Sequence, residues 1–312
     1  MVNKLLVVGT MAYDAIETPY GKVDHILGGA ATYIAFAASN FNSNIAIVSV
    51  VGEDFKSEDL KLLTKRQVDI SGVEVVKGGK TFFWSGKYQT NINIRETLQT
   101  KLNVLENFQP KVPDNWKSPK ILLLGNLHPS VQLSAMNQMK IPPELIILDT
   151  MNFWMDNFRL MLDKVICKVD VICINDEEAI QLTNEKSIYK AANRIQNLGP
   201  KYVIIKKGEN GSMLFYKEKI FLAPAYPLKE VKDPTGAGDS FAGGFAGYLS
   251  QLDEISFEGM KEALIFASAI ASFTVQKFGT ESLQSVKKIN LLNRINQIQN
   301  LTKFEPKLLN VF

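Results

Sequence analysis

The chain has 312 residues, 46% of them hydrophobic and 21% charged, which is enough apolar material for a large core and the make-up of an ordinary soluble α/β domain. A net charge of +3 with no long run of one sign argues against a nucleic-acid or membrane partner. Two cysteines, Cys167 and Cys173, and two histidines, His25 and His128, exclude a disulfide framework and a zinc site. Both thiols are expected buried and free, which suits a reducing cytoplasm; the expected location is cytoplasmic, since neither a leader-like segment nor a bilayer-spanning run is present.

In chain order, Leu5–Val8, Ile45–Val51, Ile121–Leu124, Leu145–Leu148, Val171–Ile174 and Val203–Ile205 are near-continuous apolar runs, the pattern of strands buried on both faces. Helical periodicity predicts helices over Ala30–Phe41, Glu58–Gln67, Ile188–Asn197, Ser240–Ser250 and Gly259–Phe278. The alternation predicts a doubly wound, mostly parallel sheet flanked by helices, in a single domain over residues 1–312. Residues Thr81–Phe108 break the pattern: polar and apolar side chains alternate, rich in Thr, Phe, Trp and Tyr. They predict exposed antiparallel strands, and segments of about 11–24 and 80–108 are assigned to a small β-sheet lid that would exclude water from a reacting centre. The alternative is a hairpin extending the main sheet. An exposed edge in this ribbon would let two copies pair as a homodimer. Of its aromatics, Phe82 with Trp84, or else Phe83, would face a substrate, unless all merely pack. Gly78-Gly-Lys-Thr81 is not a phosphate loop, because Glu74 occupies the required glycine position and strand-like residues follow.

Residues Val231–Ser250 read VKDPTGAGDSFAGGFAGYLS. After Pro234 a turn through Thr235-Gly-Ala-Gly leads into a helix expected to begin near Asp239, with Phe241, Phe245, Tyr248 and Leu249 on its apolar face. Gly236 and Gly238 let the backbone turn tightly, and free N–H groups at a helix start make an anion site. Small residues Ala242, Gly243, Gly244, Ala246 and Gly247 predict close packing against neighbouring helices. Asp239 has two readings. A carboxylate at a helix start is an ordinary N-cap. Beside an anion site, it also suits a base that takes a proton from a hydroxyl attacking phosphorus.

Asp233-Pro-Thr-Gly-Ala-Gly-Asp-Ser-Phe241 resembles the C-terminal signature of the PfkB (ribokinase-like) carbohydrate kinases, D-T-x-G-A-G-D-x-F, with Pro234 where that family usually has threonine. Gly28-Gly29-Ala30-Ala31 is similar to the family's double-glycine signature. Val51-Gly-Glu-Asp54, Val68-Asp69, Asn175-Asp-Glu-Glu178 and Gly208-Glu-Asn-Gly211 resemble its V-G-x-D, G-V-D, N-x-x-E and G-E-x-G elements. The resemblance implies a ribokinase-like fold and transfer of the γ-phosphoryl group of ATP, with Mg²⁺, to a hydroxyl of a sugar or ribonucleoside. It implies that Asp239 is the catalytic base and that the amides of Gly236, Ala237 and Gly238 form the anion hole. Asp14 would hold ring hydroxyls, with Gly28 and Gly29 letting the substrate lie against the backbone. Gly208 and Gly211 fall on the nucleotide side. Asn175 and Glu178 would organise Mg²⁺, largely through water, although the same spacing is that of a capping box.

Three positions depart from the family pattern. Thr32-Tyr33 follows the double glycine where many members have asparagine, and Phe153-Trp154 follows Asp149-Thr-Met-Asn152 where many have arginine. Lys206 stands where threonine is common, and is expected to supply the missing positive charge to the ATP phosphates; otherwise it is a solvated lysine at a strand end. The wording around Tyr33 and Trp154 is nearer the nucleoside-kinase branch. The rival from another class is a non-catalytic sugar- or nucleotide-binding protein on the same fold, against which stand Asp239 and both intact glycines. A dinucleotide-binding oxidoreductase is disfavoured, because no G-x-G-x-x-G follows the first strand.

Overall fold

The computed structural model describes residues 4–41 and 44–303; the remaining ends of the expected domain and positions 42–43 lie outside the described residues. Its strands are β1 (Leu5–Val8), β2 (Ala12–Thr18), β3 (Gly21–Gly28), β4 (Ile45–Gly52), β5 (Val68–Val76), β6 (Phe82–Tyr88), β7 (Arg95–Lys101), β8 (Ile121–Leu124), β9 (Leu145–Leu148), β10 (Val171–Asn175), β11 (Tyr202–Lys206), β12 (Ser212–Tyr216) and β13 (Lys219–Ala223). Nine of them form one sheet in the order β13-β12-β11-β10-β9-β8-β1-β4-β5, parallel from β11 to β5 and antiparallel at β12 and β13. The apolar runs become its centre because each strand must bury both faces. Leu5 and Val7 belong to one core, with helices Ala30–Ala38, Ala237–Leu249 and Phe257–Thr274; Leu6 and Val8 belong to the other, with helices Arg159–Ile166 and Ile188–Gln196.

The chain leaves β1 toward β4 and later returns to β8 on the opposite side of β1. Such a reversal opens a crevice beyond the C-terminal strand ends. The helix Ala237–Leu249 lies close to its neighbours through its small residues. A Cβ at Gly243 would fall 2.4 Å from the Ile34 carbonyl oxygen, and one at Gly244 2.4 Å from Ile270.

The Thr81–Phe108 segment does not extend the main sheet. Strands β6 and β7 pair antiparallel and join β2 and β3 in a separate four-stranded sheet of order β3-β2-β6-β7. Asp54 anchors its entry, accepting from both the N–H (2.8 Å) and the hydroxyl (2.7 Å) of Thr81. Pairing sets Tyr13 opposite Phe83 and Asp14 opposite Trp84. Tyr13 is buried and stacks on Phe55 with centroids 5.2 Å apart, and Phe83 packs on the same core. By strand alternation Asp14 and Trp84 therefore share the other face.

One expectation about the thiols fails. Cys173 is buried, but Cys167 is exposed, because it caps the C-terminus of helix Arg159–Ile166, past the buried face formed by Leu162, Val165 and Ile166.

Candidate active site

The glycine turn is pinned by Asp233, only 1% exposed, whose two oxygens accept from the Thr235 and Gly279 N–H groups, each at 2.9 Å. Gly236 then adopts φ 73° and becomes the N-cap of helix Ala237–Leu249; a Cβ there would fall 2.4 Å from the Tyr33 ring. Asp239 is the third residue of that helix and caps nothing. The left-handed glycine starts the helix earlier than the sequence suggests, which removes the cap reading. Of the three amides expected to form an anion hole, that of Ala237 closes the turn on the Pro234 carbonyl at 3.2 Å. Gly236 and Gly238 keep N–H groups with no backbone acceptor among the described residues.

Lys206, at the end of β11, brings its Nζ to 3.3 Å from Asp149 Oδ1. A Cβ on Gly238 would fall 3.0 Å from the same Nζ, so the ammonium abuts the glycine turn. The Lys206 and Asp149 side chains are 15% and 8% exposed, which rules out a solvated lysine. Burial pulls the Lys206 pKa down, but Asp149, Cys173, Glu178 and Asp239 together hold it above its ordinary value, so the charge stays. Asp239 is part-buried, and that burial, with Asp149 and Glu178, drives its carboxyl well above the usual range; Lys206 and Arg95 of β7 pull it partly back.

Asn175 and Glu178 form the full capping box. Asn175 Oδ1 accepts from the Glu178 N–H at 2.7 Å, and Glu178 Oε2 accepts from the Asn175 N–H at 2.8 Å. Burial pushes Glu178 up to about 7; Asp149 adds to that, while Lys206 and the Asn175 N–H oppose it. The cap engages Asn175 Oδ1 and Glu178 Oε2, which leaves the other Glu178 oxygen as the atom of the pair that could face a metal.

Asp14, 4% exposed on β2, lies against Gly28 so closely that a Cβ there would fall 1.9 Å from its Oδ2. Gly29, at φ 90°, faces the Thr10–Ala12 backbone, with Thr10 O 2.6 Å from where a Cβ would be. The protein itself occupies the Cβ side of both glycines. Burial first, then Asp233 and Asp239, push Asp14 up to about 8. Gly211 is likewise explained internally, since a Cβ there would fall 2.1 Å from the Ala223 carbonyl oxygen. Gly208 is open: a Cβ there would fall 3.8 Å from Asn93 Oδ1 of the β6–β7 turn.

The small sheet thus reaches across the site. Tyr88 and Thr235 share a hydrogen bond of 3.0 Å, Asn93 approaches Gly208, and Arg95 acts electrostatically on Asp239 and Glu178. Sequence reasoning missed Arg95 and gave Tyr88, Asp233 and Asp149 no role beyond a lid aromatic or a motif position. Arg95 sits in an unremarkable alternating strand, and Asp149 was noted only as the start of a motif.

Residues 2–287 match the family model described as pfkB family carbohydrate kinase. The cytidine kinase of Thermococcus kodakarensis is 29% identical over 272 residues, covering 83% of this chain and 95% of its own. The nucleoside kinase of Methanothermobacter thermautotrophicus is 27% identical over 293 residues, covering 89% and 91%. Among solved structures, Arabidopsis thaliana ribokinase complexed with ribose and ATP has the same fold, with a TM-score of 0.75 at 22% identity over 95% of this chain and 99% of that one. With its ordered motifs spread over nearly the whole match, the chain belongs to the pfkB family of carbohydrate kinases.

Proposed function

We propose that this kinase transfers the γ-phosphoryl group of ATP, with Mg²⁺, to a hydroxyl of a ribonucleoside. The observation that carries the reading is a base and a positive charge converging on one turn: Asp239 stands one residue beyond Gly238, against which the Lys206 ammonium rests. Asp14 accepts hydrogen bonds from the ring hydroxyls. The attacking hydroxyl forms its bond to phosphorus as the bond to ADP breaks, and its proton passes to Asp239. The Gly236 and Gly238 amides and Lys206 face the charge on the phosphoryl oxygens. Tyr88 and Arg95 close over the site as part of a lid.

The excess of carboxylates, Asp149, Glu178 and Asp239 around one lysine, suits a hard divalent cation. No group of three direct ligands occurs among the described residues, so Glu178, with Asn175, would hold Mg²⁺ largely through water, where the ion offsets the phosphate charge. A nucleoside is favoured over a plain sugar because Trp84 offers an aromatic ring on the Asp14 face, and because two of the relatives are nucleoside kinases by name. Strand β7 is exposed along its length, which supports pairing with a second copy through the small sheet.

Asp239→Asn tests the reading. Turnover of cytidine or adenosine should fall about a hundredfold or more, the contribution expected of a general base, while nucleoside binding and melting temperature hold. Turnover within about tenfold of wild type would remove Asp239 from the chemistry. Faster turnover of ribose or fructose than of any nucleoside would reassign the acceptor.

A further inference from the structure

We infer that Gln132 is a positioning residue for the nucleotide side of the site: its amide holds the Asp149 main chain, and through Asp149 it sets where the Lys206 ammonium stands beside the glycine turn. That Lys206 meets the ATP phosphates rests on the function proposed above; the placement of its ammonium rests on contacts within the chain.

Gln132 lies in the helix Pro129–Asn137 that follows β8, and it is fully buried. Its Nε2 donates to two carbonyls, that of Gly125 at 2.9 Å and that of Asp149 at 3.3 Å. These residues are the first beyond the paired ends of β8 and β9, Leu124 and Leu148. Neither carbonyl accepts from a backbone N–H among the described residues, so one side chain closes the gap where two neighbouring strands end. A primary amide has two N–H donors, and both are used. The Gln132 Oε1 is buried with no partner among the described residues. Turned over, the amide would set that oxygen against two carbonyl oxygens, so the neighbours fix its orientation.

Asp149 carries this placement to the site. Its Oδ1 accepts from the Thr150 N–H at 3.1 Å and from Lys206 Nζ at 3.3 Å. Carbonyl and carboxylate belong to one residue, so a shift of the Asp149 main chain moves the carboxylate and the ammonium it holds. That ammonium stands 3.0 Å from where a Gly238 Cβ would be, so a small displacement changes what it presents to the turn. The helix docks without help from Gln132, since Val131 and Ala135 pack into the core that contains Leu124 and Leu148. An unpaired buried oxygen is a cost. What accompanies it here is the fixing of the one strand end that bears the partner of Lys206.

The test is Gln132→Met, which keeps the length of the side chain and removes both donors. KM for ATP should rise about fivefold, the worth of roughly one hydrogen bond, while KM for the nucleoside changes by less than about twofold. In a Lys206→Ala background the same substitution should add nothing to KM for ATP, because it acts only through that lysine. An equal rise in both Michaelis constants, a further rise without Lys206, or no rise where Lys206→Ala itself produces one would overturn the inference. A crystal structure of the variant reads the placement without turnover: the Lys206–Asp149 contact should open beyond about 4 Å, and a pair that stays at its wild-type separation would overturn the inference. If the contact opens while Lys206→Ala leaves KM for ATP unchanged, Gln132 does place the ammonium and it is the proposed phosphate role of Lys206 that fails. Should Gln132→Met not fold, Gln132→Asn, which keeps the amide and draws it back by one methylene, carries the same expectations.

Discussion

Replacing Asp14 with asparagine exchanges a buried titratable group for a neutral one of nearly the same shape. In the free protein, burial first, then Asp233 and Asp239, raise the Asp14 carboxyl to about 8, with the Gly29 N–H drawing it partly back. In the unfolded chain it returns to about 4. The native state therefore holds a proton that the unfolded chain releases, and this contribution to stability is present at low pH and lost as pH rises through the folded value. One such proton is worth about 1.4 kcal/mol per pH unit in that window, hence roughly 3 kcal/mol between about pH 6 and 8. At about 2 cal/mol/K of unfolding entropy per residue over 312 residues, this corresponds to roughly 5 °C in Tm. The asparagine variant has no such proton, and its neutrality also relieves Asp233 and Asp239. Calorimetric melting across this range should show wild-type Tm falling with pH and the Asp14→Asn curve markedly flatter. At the alkaline end the variant should melt higher, although nucleoside no longer stabilises it. Parallel curves, or a variant less stable at every pH, would refute the burial argument.

Lys206→Ala should raise the ATP Michaelis constant about tenfold or more. It should also destabilise the fold by about 3–5 kcal/mol, because Asp149 is left buried and unpaired. Adding Asp149→Asn should restore stability but not ATP affinity, and an unchanged ATP Michaelis constant would remove Lys206 from nucleotide binding. As the proposed base Asp239 must be ionised, and its carboxyl is raised by burial, Asp149 and Glu178, so kcat/KM should fall on the acid side nearer neutrality than an ordinary carboxylate predicts. Asp149→Asn, which removes one of those charges, should move that limb to lower pH; a limb that stays in place would refute the coupling.

The main sheet was legible in the sequence because its strands are buried on both faces. Leu5–Val8, Ile121–Leu124 and Leu145–Leu148 appear with the expected bounds. Strands β12 and β13 were not read from the sequence: β13, at the sheet edge, is mostly exposed, and β12 beside it is a five-residue run that opens on a serine. The glycine turn was legible as an anion site but not as a cap arrangement. Whether Asp239 or Gly236 occupies the N-cap depends on a left-handed backbone angle at Gly236, where Tyr33, some two hundred residues earlier, leaves no room for a Cβ.

The charges of the site escape sequence reading for a related reason. Asn175 and Lys206 end two strands and Asp149 directly follows a third, Glu178 and Asp239 sit in the first turns of two helices, and Arg95 comes from the small sheet. No short window holds more than two of them, so local sequence can name a carboxylate but not its neighbours. Yet it is the neighbours that decide the chemistry. Lys206 holds its charge against burial because Asp149 faces it. Asp239 rises because Asp149 and Glu178 are close, and is checked because Lys206 and Arg95 are too. A carboxylate that is raised but not silenced suits the proposed removal of a proton near neutral pH. The parallel sheet produces it by delivering the ends of β9, β10 and β11 side by side beneath one glycine turn.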